Sequence, residues 1–536
     1  MAFTRIPYRN TGYFSSLICD LIEGHPALES LVSGPVSLEG FEKQIQAKQK
    51  YYPLSTRKTL VKALKLQYQD LSSTQRVEAQ ISLLAKDSTF TVTTGHQLNL
   101  FTGPLYFFYK IISTIKLCKQ LKQKYSQFDF VPVYWMATED HDFEEISYFF
   151  FQGKKIQWNE QSQGPVGRLS LASLTPLLDV FENLIGDSDR AKEIKAIIAS
   201  TYRTAANLAE ATQKLVHYFF GEEGLVILDA DRKDLKSCFV PHIKNDLEQH
   251  HCKVAVDKTI SKIKTSYSQQ YSPQVNPREV NLFYITDTLR ERIVKTATAY
   301  TTTETNTTFT KESLWEEIES HPERFSPNVL MRPLYQEVIL PNLCYIGGGG
   351  EIGYWLELKE YFKKEKVPFP LLLLRNSAVL TTQKMAGKIK RLDLKKEELF
   401  LKRTALINKK VRQISNIDLD LQFLKEKLEE QFDYLEALVK STDPSFEGTV
   451  KAQKKKQFNG IDTLEKRLLN AQKKKLVDHV QRLTLLHEAL FPNNSLQERQ
   501  SNFFEFYLSH GEDLLRQLFE QLDPLQLEFS WIQLAE

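Results

Sequence analysis

The sequence predicts an α/β fold in which an open, largely parallel sheet is followed by a long antiparallel pair of helices. Residues 89–137 alternate strand, helix and strand within about fifty residues, which is the pattern of a parallel βαβ unit. Residues 421–483 instead carry apolar side chains three and four positions apart, which is the period of a helix with one buried face. The remaining elements are assigned around these two segments.

The size and composition of the chain fit several folded units and exclude some functional classes. With 536 residues, of which 42% are hydrophobic, the chain is long enough for about two to four units with real cores. A formal net charge of +3 is nearly balanced for this length, so we expect no nucleic-acid partner. The 5 cysteines are widely spaced and fit buried residues in a reducing cytosol rather than a disulfide framework.

No segment of the sequence is typical of export or of membrane insertion. The first residues lack a basic start followed by a long apolar stretch, so we expect no signal peptide. The apolar runs at 148–151 and 371–374 are far shorter than the ~20 residues that a spanning helix needs. We therefore expect a soluble, cytoplasmic protein without a membrane partner.

Local sequence patterns assign the first elements of the α/β region. Residues 1–85 are typical of helices joined by polar turns. The β-branched run Thr89–Thr94 predicts a buried strand, and residues 108–115 predict a helix with one apolar face. A second strand is predicted at Phe130–Ala137, which completes the βαβ unit.

Further strands follow at wider intervals along the chain. Short apolar runs predict them at Gly224–Asp229, Leu282–Thr286, Leu343–Ile346 and Phe369–Leu374. Strand–helix alternation of this kind favours one open α/β domain with insertions. Together with the helical N-terminal segment, we assign this domain to residues 1–385.

The pattern changes to long helices after the α/β region. Residues 421–439 and 461–483 have a helical apolar period, and Asp443–Ser445 between them is a turn signal. We predict an antiparallel α-helical coiled coil over residues 386–491, whose seam lies within one chain or between two subunits. Residues 492–536 are predicted to pack back on the core.

Three polar clusters come directly after predicted strands, and open parallel sheets bind ligands at the carboxyl ends of their strands. The first cluster contains Thr94, Gly95, His96, Gln97 and Asn99. Its glycine lets the backbone approach a ligand, and the next helix offers free N–H groups to a phosphate. His96 could donate to a phosphate oxygen or carry a proton; the alternative is a histidine that only caps a helix.

The second cluster follows the strand that contains Trp135, which suits a pocket wall and core packing equally well. It contains Glu139, Asp140, His141 and Asp142. Adjacent carboxylates suit a Mg²⁺ ion, and they also suit acid–base catalysis because they push each other's pKa values apart. The alternative is an acidic helix N-terminus, which the helix dipole favours.

The third cluster is a glycine run between a predicted strand and a predicted helix. It comprises Gly347, Gly348, Gly349, Gly350 and Glu351, with Tyr354 in the next turn. A bare backbone lets phosphate or ribose lie against the chain. The run lacks the Gly-Lys-Ser/Thr of a P-loop and the spacing of a dinucleotide motif, so a flexible turn is the alternative.

Four more side chains are candidates for substrate contacts. They are Lys110, Arg332, Arg375 and Asn376. Arginine is favoured for anionic substrate groups because its planar fork matches a carboxylate. The alternative for each cation is a charge at the surface or at a helix end.

Several longer motifs resemble those of the bacillithiol biosynthesis cysteine-adding enzymes. The resemblance is carried by TTGHQLNLFTGPLYFFYKIIS, PVYWMATEDHDFEEI, RPLYQEVILPNLCYIGGGGEIGYW and LQERQSNFFEF. It extends over essentially the whole chain, from the IPYRNTGYFSSLI start to the helical hairpin.

The resemblance implies more than the residues do alone. The family's core is similar to those of cysteine-tRNA ligases and pantothenate synthetases, which implies a Rossmann-like nucleotide-binding domain and a homodimer through the coiled coil. It also implies a carbon–nitrogen ligase that adds L-cysteine to glucosaminyl-malate, the last step in making the low-molecular-weight thiol bacillithiol. In that superfamily a histidine-rich loop holds ATP; Gly95-His96 matches it with one histidine instead of two.

These observations combine into one mechanism and two rivals. In the ligase hypothesis, Gly95-His96 and the glycine run hold ATP or another nucleotide, and Arg332 or Arg375 grips the malate carboxylates. Asp140 and Asp142 hold Mg²⁺ or steer the attacking ammonium, and His141 deprotonates it. The rivals are a metal-dependent hydrolase that uses the residues 139–142, and a non-catalytic scaffold whose coiled coil carries the function.

Overall fold

The computed structural model of the chain describes residues 4–71 and 73–535. Residues 1–3 and 72 of the predicted α/β domain and the last residue of the predicted tail lie outside these ranges. The chain divides into two compact units. One comprises Met1–Leu380 together with Gln497–Glu536, and the other comprises Thr381–Leu496. Within the described residues, no helix is both long and apolar enough to cross a membrane.

The described residues form fifteen strands in four sheets. The strands are β1 (Thr4–Ile6), β2 (Thr89–His96), β3 (Asp129–Met136), β4 (Tyr148–Phe151), β5 (Lys154–Gln157), β6 (Val226–Asp229), β7 (Leu282–Ile285), β8 (Arg290–Lys295), β9 (Tyr300–Thr302), β10 (Thr308–Phe309), β11 (Phe325–Pro327), β12 (Asn342–Gly347), β13 (Leu371–Leu374), β14 (Ala378–Thr381) and β15 (Phe529–Gln533).

A parallel five-stranded sheet forms the centre of the first unit. Its strand order is β13-β12-β2-β3-β6, and every neighbouring pair is parallel. The strand order changes direction between β2 and β12, since the chain adds β3 and β6 on one side and β13 on the other. Such a switch point leaves a crevice at the carboxyl ends of the strands. The α/β fold and its parallel sheet are therefore confirmed.

One predicted strand lies in a different sheet. Leu282–Ile285 forms β7 of a five-stranded antiparallel sheet with the order β10-β9-β8-β7-β11. Only residues 286–289 connect it to β8, and a connection this short joins antiparallel neighbours because a parallel pair needs a long crossover. The expectation that this strand continues the strand–helix alternation is wrong. The sheet is an inserted element, which we call the inserted sheet (282–327).

Seventeen α-helices of the first unit precede its residue 380 in the part of the chain that the structure describes. From the N-terminal side they are α1 (Tyr8–Thr11), α2 (Ser16–Ile22), α3 (Gly40–Tyr51), α4 (Leu54–Gln67), α5 (Gln75–Leu83), α6 (Tyr106–Lys124), α7 (Phe143–Ile146), α8 (Thr175–Ile185), α9 (Asp189–Thr201), α10 (Leu208–Phe220), α11 (Lys233–Ser237), α12 (Val240–Gln249), α13 (His251–Ser266), α14 (Lys311–Ser320), α15 (Arg332–Ile339), α16 (Gly349–Glu357) and α17 (Lys359–Lys364).

Helix α6 connects β2 to β3, and its apolar side chains pack against the central sheet. Its Leu117 and Leu121 pack with Phe90 and Val92 of β2 in one buried apolar cluster. Burial of this kind contributes roughly 1.5–3 kcal/mol for each large apolar side chain. The helix thereby holds the first half of β2, the strand that ends at the first polar cluster.

The second unit consists of helices. They are α18 (Gln383–Arg391), α19 (Arg403–Ile414), α20 (Gln422–Val439), α21 (Ser445–Lys475) and α22 (Val477–Leu490). Lys425 of α20 pairs with Asp462 of α21, whereas Glu429, one turn further along α20, pairs with Lys454. Pairs that advance along one helix and retreat along the other identify an antiparallel hairpin, which agrees with the prediction. The helical run after the turn is divided at Leu476, whose φ of −100° and ψ of 28° are not helical.

The C-terminal segment belongs to the unit that contains the sheet. It forms α23 (Gln497–Gln500), α24 (Phe503–His510) and α25 (Asp513–Gln521), followed by β15. Strand β15 pairs antiparallel with β1, and Asn502 Nδ2 donates to the carbonyl oxygens of Phe101 at 2.9 Å and Gly103 at 2.7 Å. These contacts join the two chain ends and fix the loop after β2.

Candidate active site

A cavity of about 820 Å³ lies at the carboxyl ends of the central strands, at the switch point between β2 and β12. Its walls come from the ends of β2, β3 and β12, the N-terminal parts of α15 and α16, the inserted sheet, and Arg499 of the C-terminal segment. All of these elements belong to one compact unit. A cavity of this size suits ligands as large as a nucleotide and a small second substrate.

Most of the predicted site residues meet in this cavity, although they come from distant parts of the chain. Those that line it are Gly95, His96, Gln97, Lys110, Trp135, Glu139, Asp140, Arg332, Gly348, Gly350, Glu351, Tyr354 and Arg375. Those that do not are Thr94, Asn99, His141, Asp142, Gly347, Gly349 and Asn376.

Several residues outside the cavity wall have structural partners instead. Thr94 donates to the carbonyl oxygen of Ile346 at 2.7 Å and joins β2 to β12. Asn376 accepts from Ser113 at 2.9 Å and donates to the carbonyl oxygen of Asp523 at 2.7 Å. Both ends of its buried amide are therefore used within the fold, and nothing in this geometry supports the predicted contact of Asn376 with substrate.

The glycine loop is organised by Glu351. Its carboxylate accepts from the Gly348 N–H at 2.7 Å and from the Tyr345 hydroxyl at 2.7 Å, and it forms an ion pair with Lys110 at 2.6 Å. Burial opposes its ionisation, but Lys110 and these donors outweigh burial and lower the pKa of Glu351 to about 2. Helix α16 begins at Gly349, and Gly348 is its N-cap.

Lys110 is an internal counter-ion as well as a cavity residue. It is buried, and its ammonium donates to the carbonyl oxygen of Gly95 at 2.8 Å besides pairing with Glu351. It therefore holds the end of β2 against the start of α16. The charge that we expected Lys110 to offer to a substrate is largely compensated by Glu351.

Two buried donors face the same end of the cavity without partners among the described residues. They are Nε2 of His96 and Nε of Arg375. Burial, together with the nearby charges of Lys110 and Arg375, lowers the pKa of His96 to about 3, so the imidazole is neutral at physiological pH. A buried polar atom without a partner is costly, and a ligand acceptor would remove that cost. His96 ends β2 and caps no helix.

The cationic side chains of the cavity differ in how they are compensated. Arg375 forms a buried ion pair with Glu498 of the C-terminal segment at 2.8 Å. Arg332 instead donates to Gln336 at 3.2 Å and to the Tyr354 hydroxyl at 3.1 Å, and no carboxylate of the described residues lies within 4 Å of it. Of the two arginines predicted to hold an anion, Arg332 is therefore the one whose positive charge is not paired with a carboxylate.

The acidic cluster contributes two carboxylates to the cavity wall, those of Asp140 and Glu139. Asp140 accepts from Gln97 Nε2 at 2.8 Å and from the backbone N–H of His141 at 2.8 Å. Burial opposes ionisation, but these bonds and the charge of Arg290 hold the pKa of Asp140 well below its usual range. Asp142 instead caps α7 by accepting from the backbone N–H of Glu145 at 3.3 Å, as the helix-end alternative predicts.

Glu139 lies in a buried charge network at the end of β3. Its carboxylate pairs with Lys236 at 2.7 Å, and the same lysine pairs with Asp231 at 2.7 Å. Burial raises the pKa of Glu139 although Lys236 opposes the shift. Glu139 is therefore the more basic of the two carboxylates that line the cavity at this strand end.

His141 lies beside Arg290 and Asp140 and does not line the cavity. An N–H of Arg290 lies 2.9 Å from its Nδ1, and the same nitrogen lies 3.7 Å from a carboxylate oxygen of Asp140. The prediction that His141 deprotonates the substrate amine is not supported by this geometry.

Metal binding by protein ligands alone has no basis in the part of the chain that the structure describes. No group of three or more His, Cys, Asp or Glu side chains there is arranged to hold a metal ion. The two-metal site that the hydrolase alternative needs is absent from those residues. Of the two aspartates predicted for Mg²⁺, only Asp140 lines the cavity.

Sequence reasoning missed the arginines that the inserted sheet, the segment just before it and the C-terminal segment contribute. These are Arg278, Arg290, Arg292 and Arg499. Arg290 and Arg292 share one face of β8, because alternate residues of a strand point the same way. The Arg-Glu-Arg alternation at 290–292 could have predicted two arginines on one face of a strand. It could not have predicted that this strand borders the cavity.

Comparisons with known proteins agree with this architecture. The family model described as "Bacillithiol biosynthesis BshC, N-terminal Rossmann-like domain" matches residues 1–376, and the one described as "Bacillithiol biosynthesis BshC, C-terminal coiled-coil domain" matches residues 378–534. A Flavobacterium johnsoniae protein named "Putative cysteine ligase BshC" is 52% identical over 98% of this chain and 99% of its own. Proteins of the same name from Christiangramia forsetii and Chlorobaculum tepidum are 50% identical over 98% of each chain and 27% identical over 88% of each chain.

Proposed function

This chain belongs to the BshC family of bacillithiol biosynthesis, and we propose that it is the ligase that joins L-cysteine to glucosaminyl-malate with the help of a nucleotide. The observation that carries the proposal is the division of the cavity into three chemical environments. One end offers a bare glycine loop and unpartnered donors, one wall offers an arginine without a carboxylate partner, and another wall offers carboxylates. Phosphate, carboxylate and ammonium groups are the complements of these environments.

The nucleotide phosphates fit the end of the cavity formed by β2 and the glycine loop. Gly348 and Gly350 line it with backbone, and beyond Gly350 there is open space for 4 Å in the direction of a Cβ atom. Nε2 of His96 and Nε of Arg375 would donate to phosphate oxygens there. Bound in this position, ATP or another nucleotide would activate the cysteine carboxylate, and Mg²⁺ would arrive with the phosphates.

The amine would be held at the opposite, acidic wall. Asp140 stays ionised and would attract the ammonium form of glucosaminyl-malate. Glu139 has the raised pKa that a proton acceptor needs, so it is the better base once the amine is in position. Arg332 would bind a carboxylate of either substrate, since its own partners are neutral.

Product formation tests the proposal directly. Purified protein is incubated with glucosaminyl-malate, L-cysteine, ATP and Mg²⁺, and the reaction is followed by mass spectrometry. We expect a product at the mass of bacillithiol that is absent without nucleotide. If the folded protein binds both substrates and nucleotide by calorimetry yet forms no amide, the proposed function is wrong.

A further inference from the structure

Arg290 is a second guanidinium of the cavity whose hydrogen-bond partners include no carboxylate. It is the first residue of β8 in the inserted sheet, and its Nε donates to Ser326 Oγ at 3.2 Å. Its two terminal nitrogens donate to the Pro327 carbonyl oxygen at 3.1 Å and to His141 Nδ1 at 2.9 Å. Its plane lies over the ring of Phe283, with the guanidinium carbon 3.9 Å from the ring centroid.

These contacts fix the orientation of the guanidinium without using all of its donors. A guanidinium has five N–H groups, and three of them are engaged by Ser326, Pro327 and His141. No carboxylate of the described residues forms an ion pair with Arg290 within 4 Å, although the charges of Glu139 and Asp140 act on it from further away. Two N–H groups thus remain on a rigid side chain that lines the cavity.

Arg290 and Arg332 lie in different parts of the cavity, and Arg290 is the one further from the proposed nucleotide end. Arg332 lies near β2, since a Cβ atom on Gly95 would be 3.9 Å from one of its terminal nitrogens. Arg290 instead lies beside His141 and Asp140, at the acidic wall where the amine is proposed to bind. The neighbouring Arg292 and Arg278 are exposed and add positive charge to the same rim.

We infer that Arg290 is the specificity-determining residue that binds the distal carboxylate of the malyl group on the amine substrate. The inference rests on the proposed function, and it adds a residue and a selectivity that this function does not require. A planar guanidinium with free N–H groups recognises a carboxylate through two parallel hydrogen bonds. Because Phe283 and the three hydrogen-bond acceptors already hold it, little side-chain entropy is lost on binding.

The purely structural alternative is that Arg290 only joins β8 to β11 and to the strand end of β3. Both roles predict that replacing Arg290 harms the protein. They differ in ligand selectivity, because a structural clamp has no reason to distinguish two amine substrates that differ in one carboxylate.

The test compares glucosaminyl-malate with its lactate analogue, in which a methyl group replaces the distal CH₂–COO⁻. Calorimetry measures the affinity of each ligand for the wild-type protein and for Arg290→Gln. We expect the wild type to prefer the malate compound by roughly 10- to 100-fold, the worth of a charge-assisted hydrogen-bonded pair, and Arg290→Gln to bind both compounds about equally. If the variant keeps the wild-type preference, the inference is overturned.

Two further variants keep the result interpretable. Arg290→Lys retains the charge and is the fallback if Arg290→Gln does not fold; it should retain less than a third of the wild-type preference, since an ammonium cannot form the bidentate contact. An unchanged preference in Arg290→Lys alone would also overturn the inference. Arg324→Gln, an exposed arginine of the same inserted sheet that pairs with Glu317, is the control and should bind like the wild type.

Because binding is measured apart from catalysis, the two proposals fail in different ways. Absence of amide product with intact, selective binding would contradict the ligase proposal alone. Product formation by the wild type with unchanged selectivity in Arg290→Gln would contradict the role of Arg290 alone. A wild type that binds the malate and lactate compounds equally would overturn the inference as well.

Discussion

At the scale of single residues, the protonation state of each site group is set by what surrounds it. His96 and Asp140 show the two outcomes, a neutral side chain and an ionised one. His96 is neutral because it is buried beside two cations, and Asp140 is ionised because it accepts several hydrogen bonds. The first can donate to a phosphate without carrying charge, and the second can bind a cation at any physiological pH.

Replacing His96 with alanine should weaken nucleotide binding. Loss of one hydrogen bond to a charged phosphate is worth roughly 1.5–3 kcal/mol, or about 10- to 100-fold in Kd for ATP, measured by calorimetry. Because a pKa of about 3 means that His96 takes up a proton only in strong acid, its contribution should not change between pH 5.5 and 8. His479→Ala, at an exposed histidine of α22, is the control. Wild-type affinity in the His96 variant would exclude this residue from the phosphate site.

The two aspartates of the acidic cluster should respond differently to the same change. Asp140→Asn removes the charge at the cavity wall and should lower kcat/KM by roughly 10- to 100-fold, the worth of a hydrogen bond to a charged group. Asp142→Asn should stay near wild type, because asparagine caps a helix as well as aspartate does. The measurement is initial rate against amine concentration. Equal losses in both variants would contradict the assignment.

At the scale of elements, the glycine loop should show opposite effects on stability and on binding. Gly350 lies in the first turn of α16 with open space around it, so Gly350→Ala should raise the free energy of unfolding by about 0.5–1 kcal/mol. The added methyl group would also occupy the cavity wall and should weaken ATP binding by about tenfold or more.

A second glycine separates these two effects. Gly460→Ala, at an exposed position inside α21, should stabilise the protein similarly and leave ATP binding unchanged. Urea unfolding and calorimetry are the two measurements. If Gly350→Ala binds ATP as tightly as the wild type does, the phosphates do not lie on this loop.

The sequence predicted those elements whose signal is local. Strands β2, β3 and β12 are runs of buried apolar or β-branched residues, and their ends carry the polar clusters. Strand β8 was missed because its Arg-Glu-Arg start lacks apolar character. Arg290 contacts His141, which is 149 positions away, and Arg375 pairs with Glu498, 123 positions away, so only the tertiary fold reveals either contact.

At the scale of the whole molecule, the helical hairpin leaves apolar side chains uncovered. Phe423 of α20 and Leu464 of α21 are 52% and 57% exposed, and they lie at the same level as the pair Lys425–Asp462. An apolar patch on a long hairpin favours a partner surface of the same kind. We propose that two copies of the chain associate through this patch.

Replacing both residues with glutamate should convert a dimer into a monomer. Sedimentation velocity of the wild type should give the mass of two chains, and Phe423→Glu/Leu464→Glu should give the mass of one. Val180→Glu, at a position of the first unit that is 61% exposed, is the control and should stay dimeric. A monomeric wild type would contradict the proposed association.

The central claim is that the cavity at the switch point uses a nucleotide to activate the carboxylate of cysteine. Activation forms a bond between a carboxylate oxygen and phosphorus and breaks a P–O bond of the nucleotide, which releases pyrophosphate if an adenylate forms or the nucleoside diphosphate if an acyl phosphate forms. The amine, which loses a proton, then forms the C–N bond and breaks the carbon–oxygen bond, so that this oxygen leaves with AMP or with inorganic phosphate. With both carboxylate oxygens of L-cysteine labelled as ¹⁸O, mass spectrometry should find one ¹⁸O per amide formed in AMP or in inorganic phosphate. Amide formation with no label in either product would contradict the claim.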